Sequence, residues 1–330
     1  MQQKLVSVII PTYNRAHLVV EAIQSVKAQS YSTIQIIVVD DGSEDATAEA
    51  IAKFKNVEYY RQENKGQAAA RNLGLSYARG EYIASLDSDD IWHKDFLKAA
   101  VAALEQFEAD FVFLNWTEIF GAKETVNYWE QSKMCRKYHK QNEEWTLLNA
   151  KEVRKLFFFT CPAPSSALLI RRSSFVSTWN EEMKIADDWS LILEMVTSKP
   201  CRAAFTLSKF WTKHIHGTNI YDGREKLEVI RHLGLHDEPL IARRLQKYLT
   251  ATEKAIMQKR LAGHYFNFGR LNLKHDGFSI RHLKSIATAF RLAPIGSVLY
   301  MMQLSFYSLK NRLQFARSKS EQSIEINKIN

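Results

Sequence analysis

Short apolar runs and helical stretches alternate through the first 117 residues. Residues 6–10 (Val-Ser-Val-Ile-Ile), 34–39, 57–60, 82–86 and 111–114 are β-rich and nearly continuous in apolar side chains, which predicts strands covered on both faces. Between them, residues 17–29, 45–53, 67–78 and 94–107 carry apolar side chains at three- and four-residue spacing among strong helix formers. These predict helices. The order βαβαβαβαβ implies an α/β fold, a doubly wound and mostly parallel sheet. Residues 121–150 are polar and aromatic and read as loop with a short helix, 167–170 as a strand, 189–196 as a helix. From residue 225 onward no strand pattern appears, and an α-helical C-terminal region is expected, broken at Pro239, Gly277 and Pro294. The pattern therefore predicts an α/β domain over 1–224, in halves 1–117 and 118–224, followed by helices over 225–330. No internal repeat is visible.

Composition narrows the class. Apolar residues are 46% and charged residues 25%, with 12 Gly and 6 Pro in 330 residues, which excludes disordered, collagenous and low-complexity chains. The three cysteines, Cys135, Cys161 and Cys201, are far apart and never form Cys-x-x-Cys. Neither a disulfide framework nor a thiolate zinc site is supported, and a reducing compartment is expected. Residues 5–10 are too short, and too abruptly ended by Pro11, for a signal-peptide core, so the chain is expected to begin at Met1.

Charge separates the two ends. Residues 1–110 carry 11 Lys and Arg against 16 Asp and Glu, while 225–330 carry 18 against 8. A carboxylate-rich half suits a metal, and a basic half suits phosphates on nucleic acid or anionic lipid.

Ligands of open parallel sheets bind beyond the carboxyl ends of the strands. Strand one runs into Pro11-Thr12-Tyr13-Asn14-Arg15, strand two into Asp40-Asp41-Gly42-Ser43, and strand four into Asp87-Ser88-Asp89-Asp90. Five carboxylates at one edge repel unless a cation or hydrogen-bond donors hold them. Magnesium or manganese bound with a substrate's phosphates accounts for them economically. On extended backbone Asp87 and Asp89 point the same way and share one metal. Asp90 reads instead as the N-cap of the helix near Lys94, and Asp41-Gly42-Ser43 has a plain reading as a turn with a cap.

Ser7 to Arg15, Val38-Val39-Asp40-Asp41-Gly42-Ser43, Asn64-Lys65-Gly66 with Ala70-Arg71-Asn72, and Leu86 to Asp90, in this order and spacing, resemble family-2 glycosyltransferases over roughly residues 5–220. The resemblance implies the GT-A fold, a nucleoside-diphosphate-sugar donor, a divalent cation (Mn or Mg) and inversion at the anomeric carbon. It further implies that Tyr13 stacks on the nucleobase, Thr12 contacts the nucleotide, Asp41 accepts from the base's ring N–H and Arg71 lies near the nucleotide. Asp87 would bind ribose or metal, and Asp89 would be the main metal ligand. A carboxylate facing a ring N–H favours a uracil or thymine donor, of UDP or dTDP type.

An inverting transfer also needs a carboxylate to take the acceptor's proton. Asp187-Asp188-Trp189 opens a helix and is similar to the family's Glu-Asp pair, with Asp188 aligned to the base and Asp187 in place of Glu; the plain reading is two acids complementing the helix dipole. The resemblance also implies a histidine near this point that meets the metal or diphosphate, and in His214-Ile215-His216-Gly217-Thr218-Asn219 His216 is the one expected there rather than His214. Trp189 and Trp211 read as core or sugar-site residues.

The tail adds a partner. Residues 278–320 hold seven Lys and Arg and no acid, with apolar side chains at helical spacing from Phe278 to Leu313. Its most apolar stretch is far short of the roughly 20 residues that span a bilayer, so it is expected to lie on a membrane, or else to form an amphipathic helix pair packed against the first domain or a dimer interface. A cytoplasmic enzyme, peripheral at the inner face and acting on a glycan or lipid-linked acceptor, is the resulting expectation, with no nucleic-acid partner. The alternative is a non-catalytic nucleotide-sugar or nucleic-acid binding protein on the same fold. Glycine-rich dinucleotide and nucleotidyl-transfer loops are missing after strand one.

Overall fold

The computed structural model describes residues 3–125, 129, 132–139, 143–217, 219, 221 and 224–302. The chain divides into two compact units, Met1–Arg224 and Glu225–Asn330.

The first unit is built on a ten-stranded sheet ordered β3-β2-β1-β4-β9-β6-β10-β5, with β7 on β6 and β8 on β10. β1 (Val6–Thr12), β2 (Ile34–Asp40), β3 (Glu58–Arg61) and β4 (Tyr82–Ser85) are mutually parallel, in the register Thr12 to Asp40 to Arg61. Their carboxyl ends therefore lie along one edge. β1 is buried along its whole length, whereas β3, at the margin, alternates half-buried and exposed side chains. This is what continuous apolar runs and an edge position dictate. The helices α1 (Ala16–Lys27), α2 (Thr47–Ile51), α3 (Gln67–Tyr77) and α4 (Phe96–Gln106) fall where periodicity puts them. At Gly74 an added Cβ would lie 2.5 Å from Ile9 Cγ2, so a bare backbone lets α3 sit close on β1.

Beyond β4 the pattern departs from simple winding. β9 (Leu168–Arg171) inserts antiparallel between β4 and β6 (Phe111–Phe120), and β10 (Ala203–Ile215) lies parallel to β6. The three-residue β5 (Asp90–Trp92) pairs antiparallel with β10. β7 (Lys123–Thr125), α5 (Lys133–Tyr138), β8 (Thr146–Leu148) and α6 (Ala150–Phe159) fill the segment expected as loop and short helix, and α7 (Asp187–Ser198) follows. Trp189 and Trp211 are core residues, their indoles donating to Phe157 O and Leu114 O.

The second unit is helical. Lys226–Val229 (α8) passes into a π-helical stretch, Ile230–Asp237, and then into α9 (Glu238–Leu245). The break expected at Pro239 is not there: the proline stands in the first turn of α9, directly after the π-helical stretch, and the helix runs through it. The chain turns instead after α9, and Thr250 restarts it with a capping box to Glu253 as α10 (Ala251–His275). Breaks do occur at Gly277, φ +77°, and at Pro294, which bound α11 (Ile280–Leu292) and α12 (Pro294–Met302). The tail residues Phe306, Leu309, Lys310, Arg312, Leu313, Arg317 and Lys319 lie outside the described residues.

Candidate active site

Asp89 sits in a tight turn closed by Asp90 N donating to Asp87 O at 3.0 Å. The extended segment expected here is absent, and the two carboxylates go separate ways. Asp87 Oδ1 accepts from Arg71 Nη2 at 2.6 Å, while Asp89 Oδ2 meets the Arg15 guanidinium, His216 Nε2 at 3.0 Å and Asn219 Nδ2 at 3.3 Å. His214 instead addresses the backbone, its Nδ1 3.1 Å from Asp89 O. Both histidines arrive because Lys213 of β10 stands opposite Asp90 of β5.

Asp90 is not a helix cap. It opens β5, buried, and accepts from Ser166 Oγ at 2.6 Å, which is 76 residues away. Burial, then the Asp89 charge, raise its pKa well above the usual carboxylate range. Ser166 Oγ also accepts from Asp87 N, and its carbonyl accepts from Trp92 Nε1. One serine thus clamps the whole turn.

Asp41 uses both oxygens within the chain, accepting from Gln62 Nε2 at 2.7 Å, Lys65 N at 2.9 Å and Gly66 N at 2.7 Å. It holds the entry to α3, where a carboxylate is favoured by the helix dipole. Gly42 has φ +85°, a conformation open to glycine. Asp40 is also locally satisfied, by Ser43 N and the Tyr59 hydroxyl. Thr12 is buried, and its Oγ1 has no hydrogen-bond partner among the described residues. Tyr13 beside it is 44% exposed. Asn14, at φ +51°, donates its N–H to Ser43 Oγ and accepts from Glu44 N, tying the first loop to the second.

Arg71 is buried and joins the two acidic motifs. Its Nη1 pairs with Asp187 and its Nη2 with Asp87, and Gln67 Nε2 donates to Asp187 at 2.7 Å. Burial alone would lower the pKa of its guanidinium, but Asp187 and Asp87 outweigh it and hold it above its ordinary range. Burial raises the pKa of Asp187, with Arg71 opposing. Asp188, half-buried, accepts from Ser165 N at 3.1 Å and from Trp189 N at 2.6 Å. Burial first, and the neighbouring Asp187 charge second, push its carboxyl up to about 7. A carboxylate at that value suits proton abstraction near neutral pH.

Asp89 Oδ2 and His216 Nε2, 3.0 Å apart, are an oxygen and an imidazole nitrogen, donor types that manganese accepts. Among the described residues no group of three or more His, Cys, Asp or Glu side chains could hold a metal ion. With only two such donors, a cation bound here would have to complete its shell with phosphate oxygens and water. Sequence reading missed Arg15, Gln67, Ser166 and Asn219. Of these, Arg15 closed the first motif singled out and Asn219 ends the His214–Asn219 segment that carries the two histidines; Gln67 and Ser166 lay in none.

The family model described as Glycosyl transferase family 2 matches residues 7–178. The chain belongs to glycosyl transferase family 2. This family-2 chain is 45% identical over 111 residues to an uncharacterized glycosyltransferase of Rickettsia conorii, covering 33% of this chain and 18% of that one. It is 34% identical over 146 residues to the Escherichia coli UDP-Glc:alpha-D-GlcNAc-diphosphoundecaprenol beta-1,3-glucosyltransferase WfgD, covering 41% and 58%. It thus spans less than two thirds of the length of either relative. Among solved structures, Staphylococcus aureus TarS 1–349 in complex with UDP-GlcNAc superposes with a TM-score of 0.61 at 20% identity, over 87% and 80% of the two chains. The Pyrobaculum calidifontis mannosyltransferase PcManGT, in complex with GDP-Man and Mn2+, gives 0.56 at 17%, over 93% and 81%. At such identities the likeness carries the fold, a mixed and mostly parallel α/β sheet of GT-A type.

Proposed function

We propose that this protein transfers a sugar, with inversion, from a nucleoside-diphosphate sugar of UDP or dTDP type to a hydroxyl of a glycan or lipid-linked acceptor. The observation that carries the reading is Asp188: a half-buried carboxylate raised to about 7 at the start of α7, fixed through Ser165 N to the loop that also clamps the Asp87–Asp90 turn. Asp188 takes the proton from the acceptor hydroxyl as that oxygen bonds to the anomeric carbon. The bond from that carbon to the diphosphate oxygen breaks, and the nucleoside diphosphate leaves with the electron pair.

Tyr13 offers an exposed ring for the nucleobase, and the orphaned Thr12 Oγ1 offers a buried polar atom at the strand end. Asp89 and His216 would hold a divalent cation, which when bound neutralises charge on the departing diphosphate. The Mn2+ in the mannosyltransferase structure supports the cation, and the UDP-GlcNAc in the TarS structure supports a uridine donor. The name of the E. coli relative, which specifies a diphosphoundecaprenol-linked acceptor, supports a lipid-linked one.

The test is nucleoside-diphosphate release from a panel of nucleotide sugars with Mn2+, using polyprenyl-diphosphate-linked glycans as acceptors. Acceptor-dependent release that Asp188→Asn removes is expected. Donor binding with no turnover on any acceptor would favour the non-catalytic alternative.

A further inference from the structure

The helices of the second unit pack on one face and leave another bare. Ile286, Ala289 and Phe290 of α11 join Ala262, Phe266 and Tyr300 in a small core. Away from that core, Phe278, Ile280 and Leu283 are 80%, 67% and 42% exposed, and Ile295, Leu299 and Met302 of α12 are 77%, 48% and 60% exposed. Large apolar side chains gathered at this exposure mark an interaction surface rather than chance.

Charge selects the partner. Between Gly277 and Met302 there is no Asp or Glu, and Arg281, Lys284 and Arg291 are exposed on α11 among the bare apolar side chains. A second copy docked face to face would set these cations against their own kind. An anionic lipid surface satisfies both features at once, phosphates meeting the cations while the apolar side chains enter the acyl boundary. No single described helix is long and apolar enough to cross a membrane; α11 and α12 are so only as a pair, and that pair is bent by 117° at Pro294. A corner of this kind suits the interface better than a straight span does.

We infer that the α11–α12 corner docks this protein on an anionic membrane surface. The surface belongs to the second unit alone, and its binding is read without any transfer assay. The full chain is floated with vesicles of phosphatidylglycerol and phosphatidylethanolamine, and with vesicles of phosphatidylcholine. It binds the anionic vesicles at low salt, binds the neutral ones weakly, and releases as salt is raised. The exposed-site double variant Ile295→Glu with Leu299→Glu keeps its circular-dichroism melt and loses binding by about tenfold or more. Arg281→Gln with Lys284→Gln weakens anionic binding and flattens its salt dependence. Failure of the wild-type chain to bind anionic vesicles, or equal binding by the double glutamate variant, overturns the inference. A lipid-free wild-type dimer in sedimentation velocity that the glutamate variant turns into monomer also overturns it, assigning the face to self-association.

Discussion

His216 Nε2 lies 3.0 Å from Asp89 Oδ2 across 127 residues of chain. Neither residue's own neighbourhood brings them together; the short pairing of β5 with β10 does. If the pair holds a cation, Asp89→Ala should abolish the difference in nucleoside-diphosphate affinity between Mn2+ and EDTA, and His216→Ala should shrink it. Isothermal titration of both variants checks this. An undiminished Mn2+ effect in Asp89→Ala would remove the assignment.

Asp188→Asn should lower transfer by about 10²–10⁴-fold, the range for general-base loss, with donor affinity nearly unchanged. Single-turnover rates set beside donor titrations separate the two quantities.

Asp187→Asn should act differently from its neighbour. Its carboxylate is 1% exposed and is paired with a buried arginine, so removing the charge leaves Arg71 uncompensated on that side. Breaking a buried pair costs about 3–5 kcal/mol. Denaturant unfolding should show most of that loss, and donor affinity should fall as Asp87 loses its anchored partner. A stable variant with normal donor binding and no transfer would instead make Asp187 the base.

The pH profile follows from burial. Asp188 accepts a proton only when ionised, and its carboxyl is pushed up to about 7. Transfer should therefore climb as pH rises through 7 and level off above it, and the acid limb is expected to persist at saturating donor. The sign for stability is opposite. A carboxyl whose folded pKa is raised contributes stability that is present below its unfolded value and lost as pH rises through the folded one. Relative to wild type, Asp188→Asn should gain stability as pH rises from about 4 to about 7, as thermal melts across that range would record.

Ser166→Ala should loosen the turn. It removes the donor to the buried Asp90 and the acceptor of Asp87 N, at about 1–3 kcal/mol for the stranded groups. Donor affinity should drop more than in a variant of an exposed serine such as Ser76, and paired titrations would show it.

The winding of β1, β2 and β4 was legible because those strands are covered on both faces, so their apolar runs are nearly unbroken. β10 was not. Lys209, Lys213 and His214 interrupt its run, and its register with β6 shifts between Thr206 and Trp211, which blurs any period of two. Asp90 misled for another reason. An acid shortly before a helix reads as a cap, and the serine that claims it lies on a loop with no motif of its own. The Asn149-x-x-Glu152 capping box that starts α6 was open to a sequence reading, whereas the Arg71–Asp187 pair, 116 residues apart, was not.

Ser165 and Ser166 are consecutive, one holding Asp188 by its N–H and the other holding the Asp87–Asp90 turn by its hydroxyl. The spacing between Asp188 and the Asp87–Asp90 turn is therefore gauged by a single peptide link, about 3.8 Å of chain, rather than by the long stretch of sequence between the two motifs. Segments that reach the acceptor from elsewhere in the first unit can lengthen, shorten or change composition without altering that gauge. If the proposed transfer holds, one acceptor could be exchanged for another while the reaction geometry stays where two adjacent serines put it.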